Sequence, residues 1–165
     1  MSDRELLESC EVDRFRASGP GGQKRNKTDS AVRVRHVETG IAGLATESRS
    51  QHENRARALS RLRTELALQW RESFDILAAP PSNLIALLAG VGPGPRSKAG
   101  KVDRLLGLAR LLDAFVASEC SLRDTAERLG CSTAALSRLL VGDARLLRKV
   151  NELRAERGLR SLRGR

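Results

Sequence analysis

From Ala31 to Val37 apolar and polar positions alternate, with Val32 and Val34 interleaved with Arg33 and Arg35. A period of two predicts a half-buried strand, its valines on a core face and its arginines towards solvent or a partner. Glu38-Thr39-Gly40 is a turn signal, and Ile41 to Thr46 is the returning arm of a hairpin, weakened by Gly43. Cys10 to Arg16 reads as a less regular strand, because Val12 and Phe15 fall on opposite faces. At Ser50 the period changes. Ser50-Gln51-His52-Glu53 is a capping-box pattern, and Ala56, Leu59, Leu62 and Leu66 follow at helical spacing to about Trp70. This helix is expected to cover the sheet while Arg55, Arg57, Arg61 and Arg63 stay mostly outward.

Beyond residue 76 the pattern is helical. Pro80-Pro81-Ser82-Asn83 and Gly90-Val91-Gly92-Pro93-Gly94-Pro95 bracket the apolar run Leu84 to Ala89, so residues 76–99 read as a connector holding one or two helical turns. Val102, Leu105, Leu106, Ala109, Leu112 and Val116 make an amphipathic stripe from Lys101 to Ser118. Leu122, Ala126, Gly130, Leu136 and Leu139 have the arrangement of a helix-turn-helix, with Ser121 and Ser132 as caps. Ala144 to Arg157 is one more helix, ending near Gly158. The expected class is α+β: a small sheet with a packed helix and a glycine-rich loop over 1–75, the connector 76–99, then a helical domain over 100–165 containing a helix-turn-helix-like unit.

The chain of 165 residues carries 30 Lys and Arg against 20 Asp and Glu, a net charge of +10 that points to an anionic partner. Distribution says more than the total: residues 1–72 are net +3 and residues 73–165 net +7, with Arg145 to Arg165 alone net +6, a basic C-terminal arm. With one Trp, three Phe and no Tyr there is no set of stacking platforms, so RNA contacts would rest on phosphates and shape. Cys10, Cys120 and Cys131 are scattered, and with only His36 and His52 beside them neither a disulfide framework nor a metal site is expected. No apolar run approaches the roughly 18 residues of a membrane span, and the acidic start is unlike a signal peptide, which places the chain in the cytoplasm, without a membrane partner.

Chemistry concentrates in Ser18-Gly19-Pro20-Gly21-Gly22-Gln23-Lys24-Arg25-Asn26-Lys27-Thr28. Three glycines around one proline describe a backbone with unusual dihedral angles and close approach to another surface. A nucleotide-binding P-loop does not fit, since Gln23 stands before Lys24 where that loop needs glycine. Glycine content by itself leaves an ordinary flexible hairpin tip equally open.

Gly21-Gly22-Gln23, Asn26-Lys27-Thr28-Asp29-Ser30-Ala31-Val32-Arg33, Thr39-Gly40-Ile41 and Arg49-Ser50-Gln51-His52-Glu53-Asn54-Arg55 follow one another over about residues 10–72. This series resembles the catalytic, GGQ-bearing domain of class I peptide chain release factors and of their ribosome-rescue relatives. The resemblance implies hydrolysis of the ester joining a peptide to tRNA, with Gly21, Gly22 and Gln23 as the catalytic residues and no metal or other cofactor. It implies as partners the ribosome, through large-subunit rRNA and peptidyl-tRNA, and a methyltransferase acting on the glutamine. A monomer is expected. A glutamine amide does not titrate near neutral pH, so Gln23 would act by position and through its backbone N–H rather than as a base.

Lys24, Arg25, Lys27, Arg33 and Arg35 are expected to meet rRNA phosphates around the loop, and Arg145, Arg148, Lys149, Arg154, Arg157, Arg160, Arg163 and Arg165 to do so in the basic arm. Arg49, His52 and Arg55 sit at a helix start, where packing or capping is as good a reading as catalysis. Only 18 residues precede Gly19, and neither a Pro-x-Thr nor a Ser-Pro-Phe tripeptide occurs, so codon-independent rescue of stalled ribosomes is expected over a compact stop-codon-dependent factor. A rival from another class is a helix-turn-helix DNA-binding protein reading through Ser132 to Leu140.

Overall fold

The computed structural model describes residues 3–15, 30–75, 77–89 and 100–164. It divides into two compact units, 1–66 and 67–165. In the first, helix α1 (Asp3–Glu8) leads into strand β1 (Cys10–Phe15), followed by β2 (Ala31–His36), β3 (Ala42–Ala45) and the long helix α2 (Gln51–Gln69). The three strands form an antiparallel sheet in the order β1-β2-β3. Val12 stands opposite Val34, and Val34 opposite Gly43. Val32 and Val34 are buried and Arg33 and Arg35 exposed, as the alternation requires. Leu6, Val32, Val34, Ala45, Ala58, Leu59 and Leu62 make the core of this unit.

The sheet lies on α2 with unusually little clearance at Gly43. A β-carbon there would stand 2.0 Å from the Ala58 carbonyl oxygen and 2.5 Å from the Leu62 nitrogen. The residue that weakens the strand pattern is therefore what lets helix and sheet close. At the hairpin tip Gly40 takes a positive φ of 71°, and the Thr39 hydroxyl accepts from the Ile41 N–H at 3.2 Å. Two features differ from expectation. Helix α1 is additional, and Arg63 is not outward: its side chain is only 11% exposed and donates to Asp3 of α1 at 2.8 Å.

The second unit is helical: α3 (Ser82–Ala89), α4 (Lys101–Ala117), α5 (Leu122–Arg128), α6 (Thr133–Val141) and α7 (Ala144–Ala155). Leu84, Leu111, Leu112, Phe115, Leu136, Leu140 and Val150 are fully buried in its core, each worth about 1.5–3 kcal/mol of transfer free energy. Helix α3, inside the segment read as a connector, belongs to this core through Leu84 and Leu87. It crosses α4 at Gly107, where a β-carbon would lie 2.4 Å from the Asn83 carbonyl oxygen. Ser121 accepts from the Asp124 N–H and Ser132 from the Ala135 N–H, so both expected caps are formed. Gly130, between α5 and α6, has φ 63°. Asp113 is buried, and its carboxylate takes Arg71 at 3.0 Å, the Glu72 N–H at 3.2 Å and Arg110 at 3.3 Å.

Candidate catalytic loop and its scaffold

Gly21, Gly22, Gln23, Lys24, Arg25 and Lys27 lie outside the described residues, as does Arg165. Visible instead is the frame that carries the loop: its ends are Phe15, the last residue of β1, and Ser30, immediately before β2. Phe15 pairs with Ala31, so the sheet register fixes the two ends of the loop beside each other.

Asn54 locks that frame. Fully buried in the first turn of α2, it donates through Nδ2 to the Ser30 carbonyl at 2.5 Å and to the Ser48 carbonyl at 2.8 Å. Its Oδ1 accepts from the Ser48 N–H at 3.0 Å. Two carbonyls and one N–H can be satisfied together only by a carboxamide in this orientation, which fixes the side chain chemically. The helix is started by Ser50, whose hydroxyl accepts from the Glu53 N–H at 3.4 Å. The Ser50 N–H is taken by the Ser48 hydroxyl at 3.0 Å, the place a capping-box glutamate would fill. Asn54 belongs to the motif Arg49 to Arg55, which by itself assigns it no role. Its signal was an amide at a position where the helical pattern calls for a buried side chain, between Ser50 and Ala58.

Arg33 and Arg35 are on the exposed face of β2 and are already paired. Arg33 reaches Asp13 at 2.8 Å and Arg35 reaches Glu11, both across the β1–β2 ladder. An RNA phosphate would have to compete with these carboxylates, although exposed pairs of this kind hold by only about 0.2–1 kcal/mol. On the other edge Arg61 engages Glu47 and the Leu44 carbonyl, and holds the Glu47 carboxyl below its ordinary range.

Beside the loop ends an open cleft of about 630 Å³ is lined by Val12, Asp13, Arg14, Val32, His52 and Arg55. His52 and Arg55 are exposed, so neither packs into the core, and the capping hydroxyl at this helix start is that of Ser50. Among the described residues no group of three His, Cys, Asp or Glu side chains could hold a metal.

The residues expected to form a basic arm are largely part of the helical unit. Arg145, Arg148, Lys149 and Arg154 are on α7, whose Leu146, Val150 and Leu153 are core residues. Beyond it the chain is held against the helix: Asn151 accepts from the Leu162 N–H at 2.7 Å and donates to its carbonyl at 3.0 Å. Arg154 donates to the Cys120 carbonyl at 2.5 Å and the Arg160 carbonyl at 2.8 Å, and Arg157 pairs with Glu119 at 3.3 Å. Lys149 reaches Glu152 at 3.5 Å. Arg145, Arg148, Arg160 and Arg163 are exposed and make no ion pair among the described residues. The helix expected over Ala144 to Arg157 is thus formed as α7, and the basic residues beyond it, as far as Gly164, continue against it through the Asn151–Leu162 hydrogen bonds.

Comparison with known families gives a match over residues 6–75 to the family described as RF-1 domain. Among individual proteins, peptide chain release factor 2 of Paramagnetospirillum magneticum is 55% identical over 75 residues, which is 43% of this chain and 20% of the relative. Peptide chain release factor 1 of Acidiphilium cryptum is 47% identical over 87 residues, 53% of this chain and 23% of the relative. Peptide chain release factor 1 of Caulobacter vibrioides is 43% identical over 95 residues, 57% and 25% respectively. The chain therefore spans a fifth to a quarter of the length of the curated relatives it matches.

Proposed function

We propose that this chain, whose residues 6–75 belong to the class I release factor catalytic domain family, is a ribosome-dependent peptidyl-tRNA hydrolase that frees peptides from stalled ribosomes without reading a codon. The observation that carries the reading is the family match over 6–75, which includes Gly21-Gly22-Gln23, set on a frame whose loop ends are held together by the sheet register and Asn54.

In this reading water attacks the ester carbonyl that joins the peptide to tRNA. Negative charge gathers on the carbonyl oxygen, and the Gln23 backbone N–H donates to it. The Gln23 amide, unable to take a proton at neutral pH, restricts the space beside the ester so that water is the nucleophile. Gly21 and Gly22 allow the backbone an approach that β-carbons would obstruct. Lys24, Arg25 and Lys27, with Arg33 and Arg35 once their acidic partners yield, hold rRNA phosphates around the loop.

Anchoring falls to the helical unit. Its Arg145, Arg148, Arg160 and Arg163, which make no ion pair among the described residues, give a cationic surface for rRNA, with α5 and α6, read as a helix-turn-helix-like unit, docking on the same partner. Codon-independent rescue is preferred to stop-codon reading because neither a Pro-x-Thr nor a Ser-Pro-Phe tripeptide occurs in this sequence. The protein acts in the cytoplasm as a monomer, and a glutamine methyltransferase acting on Gln23 is a further partner.

The test is peptide release from purified ribosomes carrying peptidyl-tRNA. Gln23→Ala is expected to lower the release rate on the order of 10²-fold, the scale of a misplaced reacting group, with ribosome affinity unchanged. Full turnover in Gln23→Ala would remove the catalytic assignment.

A further inference from the structure

Six of the nine arginines that the structure describes in the first unit have an acidic partner. Arg4 pairs with Glu8, Arg33 with Asp13, Arg35 with Glu11, Arg57 with Glu53, Arg61 with Glu47 and Arg63 with Asp3. Arg14, Arg49 and Arg55 have none among the described residues. Two of these three, Arg14 and Arg55, line one cleft, where His52 adds a ring nitrogen that can donate. The one carboxylate in the lining, Asp13, is already neutralised by Arg33. Among the described residues of this unit, two of the three arginines without an acidic partner thus share one concave site of about 630 Å³, Arg14 from β1 and Arg55 from α2. Two guanidinium groups on different elements lining one cleft, whose one described carboxylate is already paired, form an anion site, and guanidinium forks match phosphate oxygens.

We infer that this cleft binds the phosphate backbone of an RNA strand and so seats the first unit beside the RNA into which its loop reaches. The inference rests on the reading that the chain works on the ribosome. RNA is favoured over a free anion because the cleft is open and large for a single phosphate, and its two arginines come from different elements, β1 and α2.

The experiment measures binding of the full chain to isolated large ribosomal subunits across a potassium chloride series, comparing wild type with Arg14→Gln/Arg55→Gln. Each phosphate contact contributes roughly 0.7 to the slope of log affinity against log salt for single strands, so the double variant should lower that slope by about 1.4. Arg14→Lys/Arg55→Lys, which keeps both charges, should retain the wild-type slope. Arg4→Gln/Arg57→Gln, which removes two paired arginines, should change it little. All four side chains are exposed, and circular dichroism confirms that each variant folds. Equal losses in the cleft and control pairs, or an unchanged slope in the cleft pair, would overturn the inference. So would tight binding of inorganic phosphate at the cleft with subunit binding unaffected, which would make it a free-anion site. Gln23→Ala separates the two readings: it should retain the wild-type slope while release is lost. If the cleft variants lose the slope but wild type releases no peptide, the cleft stands and the hydrolase reading falls.

Discussion

Replacing Asn54 by alanine should loosen the frame of the loop far more than its single position suggests. The substitution removes three hydrogen bonds and leaves the Ser30 carbonyl, the Ser48 carbonyl and the Ser48 N–H without their partner at a site that is fully buried. At about 0.5–1.5 kcal/mol for each bond, the loss centres on about 3 kcal/mol. The readout is native-state hydrogen exchange at the β2 amides, which lie in the first unit beside the clamp. A loss of about 3 kcal/mol corresponds to exchange roughly 100-fold faster. Asn54→Asp is the companion variant. It keeps an acceptor for Ser48 but turns a carboxylate on two carbonyls, and at neutral pH it should destabilise at least as much as alanine. Peptide release should fall in both variants, since Ser30 no longer holds the loop end against α2. Exchange accelerated less than about threefold in Asn54→Ala, equivalent to under roughly 0.7 kcal/mol, would refute the clamp.

Gly43→Ala forces a β-carbon onto the Ala58 carbonyl and should cost about 1–3 kcal/mol, measured by the same exchange experiment. Asp113→Ala takes the buried carboxylate from the half-buried Arg71, and should lower the stability of the second unit by about 1–3 kcal/mol in urea titrations followed through Trp70 fluorescence. Burial raises the thiols of Cys10, Cys120 and Cys131 above the ordinary 9.0. The folded chain then holds those protons more tightly than the unfolded one, so their contribution to stability is lost as pH rises above the ordinary thiol value. Iodoacetamide at pH 8.5 should accordingly leave Cys120, fully buried, unmodified until urea is added, as peptide mass spectrometry will report.

The helices with long apolar stripes were legible because burial of one face imposes a period that charge cannot hide: α2 ends at Gln69 and α4 at Ala117, each within a residue of its expected end. The β2–β3 hairpin was legible for the same reason, and the Ser121 and Ser132 caps because their hydroxyls precede helical runs. Helix α1 was not, since six residues with only Leu6 and Leu7 apolar are too short to show a period. Arg63 looks like any outward arginine until α1 brings Asp3 beside it, a contact 60 residues distant in sequence. The roles of Asn54 and Gly43 also depend on which elements meet, which no local pattern encodes. Helix α7 was legible as a helix over Ala144 to Arg157, whereas the hydrogen bonds that tie Leu162 back to Asn151 join positions 11 residues apart that no periodicity links. The loop itself was read from its residues alone, and the unpaired state of Arg14 and Arg55 emerges only once Arg33, Arg35, Arg57, Arg61 and Arg63 have found their carboxylates.

The central claim is tested most directly by peptide release from ribosomes with peptidyl-tRNA in place and the A site presenting a truncated mRNA, a sense codon or a stop codon, with Gln23→Ala as control. The account predicts release chiefly on truncated mRNA and its loss in the variant. Release confined to stop codons would contradict codon independence, and no release on any of the three would contradict hydrolysis on the ribosome.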